Sequence, residues 1–135
     1  MHTVPINYLP LAIAVIAKMI LGALWYSPVL FLKPWMALAG VTEAQMKARM
    51  PKALVSDLVG TVIMAIVLAH AVAFAGAAGA AQGAVIGAVN WLGFIAVTTF
   101  AAMLYEHRPF KIWAINNGFQ LVGLIIMGAI LAGWP

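Results

Sequence analysis

Lys18, Asp57 and the run Glu106-His107-Arg108 are the residues of this chain whose types could move protons or hold charge. Lys18 and Asp57 each stand inside a long apolar run. An amine and a carboxylate so placed can form a buried ion pair that fixes helix register. They can also line a path for an ion, a proton or a polar substrate, since ionisable groups inside a membrane span are functional candidates by default. Glu106-His107-Arg108 sets an acid, an imidazole and a guanidinium side by side. That set is capable of acid–base chemistry, and equally of an ion network that shapes the turn before Pro109. No nucleophile, metal box or phosphate loop accompanies it, so no catalytic residue is assigned. His70 and Asn90 lie in two further apolar runs, and a hydrogen bond between them is expected. Metal or haem ligation is not, because no second histidine stands inside an apolar run. With no cysteine there is neither a thiolate ligand nor a disulfide. Neither a metal nor a cofactor is expected.

Composition says what carries these residues. Hydrophobic residues make up 66% of the 135 and charged ones 7%, and mean hydropathy is +1.08. A soluble domain is about half apolar and about a quarter charged. Three acids and seven bases cannot coat a water-exposed surface. Soluble enzyme, nucleic-acid binder and disordered tail are excluded, despite a pI near 9.8. The partner this composition demands is the lipid bilayer.

A helix needs about 20 apolar residues to cross the hydrocarbon core, and four stretches qualify: about 6–26, 52–75, 82–105 and 112–134. They do not alternate as barrel strands would. The expected fold is all-α and integral to the membrane: one domain over 1–135, with four transmembrane helices arranged as two hairpins. Residues 28–50 form an interfacial segment. There Thr42-Glu43-Ala44-Gln45 reads as a capping box opening a short helix on the headgroups, which Pro51 is expected to stop.

Lys33, Lys47, Arg49 and Lys52 follow the first span, and Arg108 and Lys111 lie between the third and fourth. The N-terminal tail, the Ala/Gly connection after the second span and the C-terminus carry no Lys or Arg. The positive-inside rule therefore puts both charged loops in the cytoplasm and both termini outside. Trp25, Tyr26, Trp35, Tyr105 and Trp113 make an inner aromatic belt, with Tyr8 and Trp134 in the outer one. The tail lacks a basic n-region, and Lys18 interrupts the first apolar run, so a cleaved signal peptide is not expected.

At about 1.5 Å per residue, Lys18 lies about 12 Å from the charged-loop end of its span, and Asp57 about 7–8 Å. Thr61, Thr98 and Gln120 fall at about 10–14 Å from that end, with Asn116 a turn shallower. Together these six residues are expected to form one buried polar layer, with Lys18 paired to Asp57. Asn7, Leu11, Ala14, Lys18 and Trp25 make the inward stripe of span one. Gly83, Gly87, Asn90, Phe94 and Thr98 make that of span three, and Asn116, Gln120, Gly123 and Met127 that of span four. Gly79, Gly83 and Gly87 give span three a small-residue face for close helix approach, either to span two or to another subunit.

The pattern Lys33-x-Trp35-x4-Gly40 recurs as Lys111-x-Trp113-x4-Gly118. Two parallel hairpin repeats would produce this, and so would chance matching of interfacial residues. Leu21-Gly22-Ala23-Leu24-Trp25-Tyr26-Ser27-Pro28, with Trp35-Met36 and Gly40, resembles the first half of the bacterial family called domain of unknown function 1761. Tyr105-Glu106-His107-Arg108-Pro109, with Met127-Gly128-Ala129-Ile130-Leu131-Ala132-Gly133-Trp134-Pro135, is similar to its second half. The resemblance covers nearly the whole chain and is weakest over span two. It implies a small multi-span inner-membrane protein and brings no activity.

Three functions remain open. One is a non-catalytic accessory or structural subunit that packs on other membrane subunits or on copies of itself. Another is a small oligomeric transporter or channel built on the Lys18/Asp57 layer. A membrane enzyme is the third.

Overall fold

Inside lipid every backbone N–H and C=O must be bonded within its own segment, so apolar runs of this length fold as helices. The computed structural model describes residues 5–135. The tail Met1-His2-Thr3-Val4, read above as part of the uncharged end, lies outside the described residues. Helix α1 is Tyr8–Trp25, α2 Leu32–Ala39, α3 Glu43–Phe74, α4 Ala80–Asn90, α5 Val97–Glu106 and α6 Phe110–Gly133. A π-helical turn, Trp91–Ala96, joins α4 to α5. Among the described residues four helices are long and apolar enough to cross a membrane: α1, α3, the continuous 27-residue run Ala80–Glu106, and α6.

Local chemistry sets the boundaries. Asn7 caps α1, its side-chain oxygen accepting from the Leu9 N–H at 3.2 Å. Gly40 ends α2 in the left-handed conformation, φ 68°. The capping box at α3 is complete: Thr42 Oγ1 accepts from Gln45 N–H at 3.1 Å, and Gln45 Oε1 accepts from Thr42 N–H at 3.0 Å. Thr42→Ala should therefore free amides in the first turn of α3, at a cost of about 0.5–2 kcal/mol. Hydrogen–deuterium exchange over 43–46 checks this.

The helix that starts there does not stop at Pro51. It runs through the proline into the second span for 32 residues, about 48 Å against a hydrocarbon core of about 30 Å. Pro51 removes one N–H and leaves the Lys47 carbonyl without its helical donor. Both residues are exposed, so solvent or headgroups can satisfy that carbonyl and the break is avoided. Residues 28–50 thus hold α2 and the first turns of α3.

Helix α6 sits at the centre, packed most extensively on α4, then on α1 and α3, while α3 and α4 touch little. One core joins Leu11, Ala14 and Val15 of α1, Ala65, Leu68 and Val72 of α3, and Leu124 and Met127 of α6. The spans alternate in direction, as their contacts require. Lys18 meets Thr61 and Gly123, and Trp25 meets Ile115. Gly83 meets Gly128 and Ala132, whereas Thr99 meets Trp113. Lys33, Lys47, Arg49, Arg108 and Lys111 therefore gather at one end of the bundle. Asn7, the connection after α3 and the end of α6 gather at the other.

Gly83 and Gly87 do pack a helix closely, but the helix is span four, not span two or another subunit. A Cβ at Gly83 would strike the Gly128 carbonyl, and one at Gly87 the Leu124 carbonyl. Gly79 takes no part: it precedes α4 at φ 90° with nothing near its missing Cβ. The repeated Lys-x-Trp-x4-Gly pattern likewise divides. Its first copy spans α2 and ends on a left-handed cap, whereas its second lies inside α6, where Gly118 backs onto the Trp25 ring. The glycines that end the two copies thus do different work, a left-handed cap in one and close helix packing in the other, which counts against a repeat.

Candidate functional site: the polar layer around Lys18

Lys18 is 4% exposed and Thr61 2%. The Lys18 ammonium donates to Thr61 Oγ1 at 3.4 Å, longer than the 2.7–3.2 Å of a well-formed N–H···O bond. It also stands 4.6 Å from the centre of the Phe119 ring, a cation–π distance. Gly123 makes room for the lysine stem, since a Cβ there would lie 2.9 Å from Lys18 Cε. Gln120 lies one turn before Gly123 on α6, and its Oε1 is buried without a hydrogen-bond partner.

Asp57 does not pair with Lys18. The ion pairs among the described residues are Lys47–Glu43 at 3.4 Å and Arg108–Glu106 at 3.1 Å, both well exposed. Asp57 is exposed, one helical turn nearer the charged-loop end than Thr61. Cα–Cβ bonds tilt toward a helix's own N-terminus, which on α3 carries this carboxylate outward to the rim. It stands four residues before Thr61 on α3, one turn along the face that Lys18 meets.

Asn116 belongs to the layer's charged-loop side, accepting from the Tyr26 hydroxyl at 2.8 Å. Beside it, Trp25 Nε1 donates to the Ile115 carbonyl at 2.9 Å. The polar layer is thus Lys18, Thr61 and Gln120 at depth, Tyr26 with Asn116 above them, and Asp57 at the rim.

Thr98 is absent from it. It is exposed, and its hydroxyl donates back to the Phe94 carbonyl at 2.7 Å. Thr99 faces inward instead and accepts from Trp113 Nε1 at 2.9 Å. The π-helical turn is the cause. Its i→i+5 bonding adds one residue to a turn, so the stripe through Gly83 and Gly87 continues at Ala96, Thr99 and Met103, not at Phe94 and Thr98. Trp91 closes the same turn from its other end, donating to the Asn117 carbonyl at 2.8 Å. Three half-buried indoles, Trp25, Trp91 and Trp113, each needing an acceptor, are the sign of these contacts that the sequence offers. Thr99→Val should lower stability by about 0.6 kcal/mol, as typical interhelical hydrogen bonds in membranes do. Thr98→Val should leave it unchanged. Unfolding in mixed detergent micelles, followed by Trp fluorescence, separates the two.

His70 and Asn90 are not joined. His70 Nδ1 bonds the Ile66 carbonyl and Asn90 Nδ2 the Ile86 carbonyl, each at 2.8 Å on its own helix. Back-bonding to the preceding turn satisfies a polar group in lipid without a partner helix. At the mouth of spans three and four, Glu106 and Arg108 pair across His107. That histidine takes the left-handed conformation, φ 55°, and Arg108 N–H returns to the Met103 carbonyl at 3.1 Å. The trio shapes a turn. No metal-holding group of His, Asp or Glu occurs among the described residues.

A family model described as protein of unknown function, DUF1761, matches residues 9–132. No curated protein and no solved structure matches the chain.

Proposed function

This chain belongs to the DUF1761 family, and from that premise we propose that it is a non-catalytic subunit of the bacterial inner membrane. It assembles with other membrane-spanning subunits or with copies of itself. The supporting observation is how little interior the bundle encloses at its centre. Met127 and Thr61 are wholly enclosed at its centre, the Lys18 stem fills the space left by Gly123, and α3 and α5 turn most of their large side chains outward. A chain with so little interior and so much apolar exterior acts by what it packs against. Charge placement favours cytoplasmic charged loops and both termini outside. In that orientation α2 and the first turns of α3 lie on the cytoplasmic headgroups, where Lys47 and Arg49 attract anionic lipid. Alkaline phosphatase fused after Pro135 should be active, and a fluorescent protein that matures only in the cytosol should be dark there. The opposite result reverses the orientation.

A small oligomeric transporter or channel is the second reading, favoured by one observation: a buried amine with no carboxylate paired to it. Native mass spectrometry from mild detergent distinguishes the two. A complex with unrelated subunits supports the first. A closed homo-oligomer whose Lys18 layers face a shared wet cavity overturns it.

A further inference from the structure

Lys18 brings up to three N–H donors into the bundle, and its neighbours there are neutral. Thr61 accepts one at 3.4 Å and Phe119 offers a ring face at 4.6 Å. The titratable groups on the elements around it are Asp57 of α3, exposed at the rim, and Tyr26 just past α1, bonded to Asn116. Helix α6 presents Phe119, Gln120 and Gly123, none of which titrates. On that same α6 face the Gln120 carbonyl oxygen is buried and unpartnered. An amine with donors to spare and an amide acceptor with none to bond, in one layer, call for a molecule that both accepts and donates. Water is the smallest that does, and buried waters characteristically satisfy such groups with two to four bonds. From this layer toward the charged-loop end lie the Tyr26 hydroxyl, bonded to Asn116, and then the exposed Asp57.

We propose that Lys18 and Gln120 hold a water between them, and that Lys18 exchanges its proton through it with the charged-loop end by way of Asp57. The step balances as a proton transfer. One N–H bond of the Lys18 ammonium breaks and one O–H bond forms on the water, which passes a proton on to the Asp57 carboxylate. A neutral amine and a neutral carboxylic acid result, and no electrons are exchanged. The reverse step reloads the lysine. Tyr26 positions the route, since its hydroxyl hydrogen is committed to Asn116. The inference goes beyond both readings above, because a proton-exchanging lysine can serve a subunit or a carrier.

The test uses the full chain, 15N-lysine labelled, in lipid nanodiscs, with the Lys18 signal assigned by its loss in Lys18→Met. Magnetisation transfer from water to Lys18 Nζ is expected in the unmodified protein. Gln120→Leu should slow it about tenfold and Asp57→Asn severalfold, while Thr98→Ser, exposed on span three, leaves it unchanged. Absence of transfer in the unmodified protein at every pH from 5 to 9 overturns the proposal, whatever the variants do. So does an unchanged rate in folded Gln120→Leu. If that variant does not fold, Gln120→Met carries the same expectation. Subunit composition does not enter these readouts, so their failure is distinct from failure of the assembly reading.

Discussion

Gly83→Ala is expected to break the packing of span three on span four, lowering stability by about 3 kcal/mol or more. Overpacking ordinarily costs about 1–3 kcal/mol because side chains shift to accommodate it. Here the added methyl meets the backbone carbonyl of Gly128, with the Ala132 methyl 2.5 Å away one turn further along the same helix. Backbone has no rotamer to change, so the helices must separate along the whole α4–α6 contact. The Gly83 carbonyl in turn lies where a Cβ on Gly128 would go, so Gly128→Ala should fail in the same way. Gly93→Ala is the control: it lies in the same span with nothing near its missing Cβ, and should be neutral or stabilising by up to about 1 kcal/mol. Unfolding in mixed micelles ranks the three variants. Equal stability of Gly83→Ala and Gly93→Ala would show that α4 and α6 do not approach this closely.

Lys18→Met should raise stability, by about 1–4 kcal/mol, the gain seen when a buried charge gives way to an apolar group of similar volume. Methionine keeps the unbranched stem that lies on Gly123 and under the Phe119 ring, and removes the ammonium whose burial is costly in lipid. Asp57→Asn should change stability by no more than about 0.5 kcal/mol, as surface substitutions usually do. The two changes should add in a double-mutant cycle. Had the residues formed a buried pair, removing either alone would cost about 3–5 kcal/mol and the cycle would show strong coupling. The same micelle unfolding assay measures all three variants. A marked loss of stability in Lys18→Met would mean that the lysine is held by a carboxylate after all.

Both expectations turn on contacts between helices, which is where reading the chain alone reached its limit. Residues within one helix were legible. Thr42 and Gln45 announced their capping box because all four partners lie within four residues. Three- and four-residue spacing marks Leu11, Ala14 and Lys18 on α1 and Gly123 and Met127 on α6, all of them buried. Lys18's neighbours were not legible. Depth along a helix says nothing of which way a side chain tilts, so Asp57 was paired on level alone and in fact lies outward at the rim. Even helical periodicity puts Thr98, not Thr99, on the inward stripe, because it assumes 3.6 residues per turn throughout, and one π-helical turn shifts every later residue by a position.

Length, hydropathy and charge spacing by themselves determined four spans and the gathering of basic loops at one end. Each of these is a property of a single segment in lipid. Only the tertiary structure decided that α6 lies at the centre, that Gly83 and Gly87 serve it, that Pro51 is traversed, and that Lys18 is buried among neutral groups. Those outcomes depend on which surfaces meet. In lipid no difference in hydrophobicity selects among apolar faces, so the fit of small residues and the few interhelical hydrogen bonds make the choice.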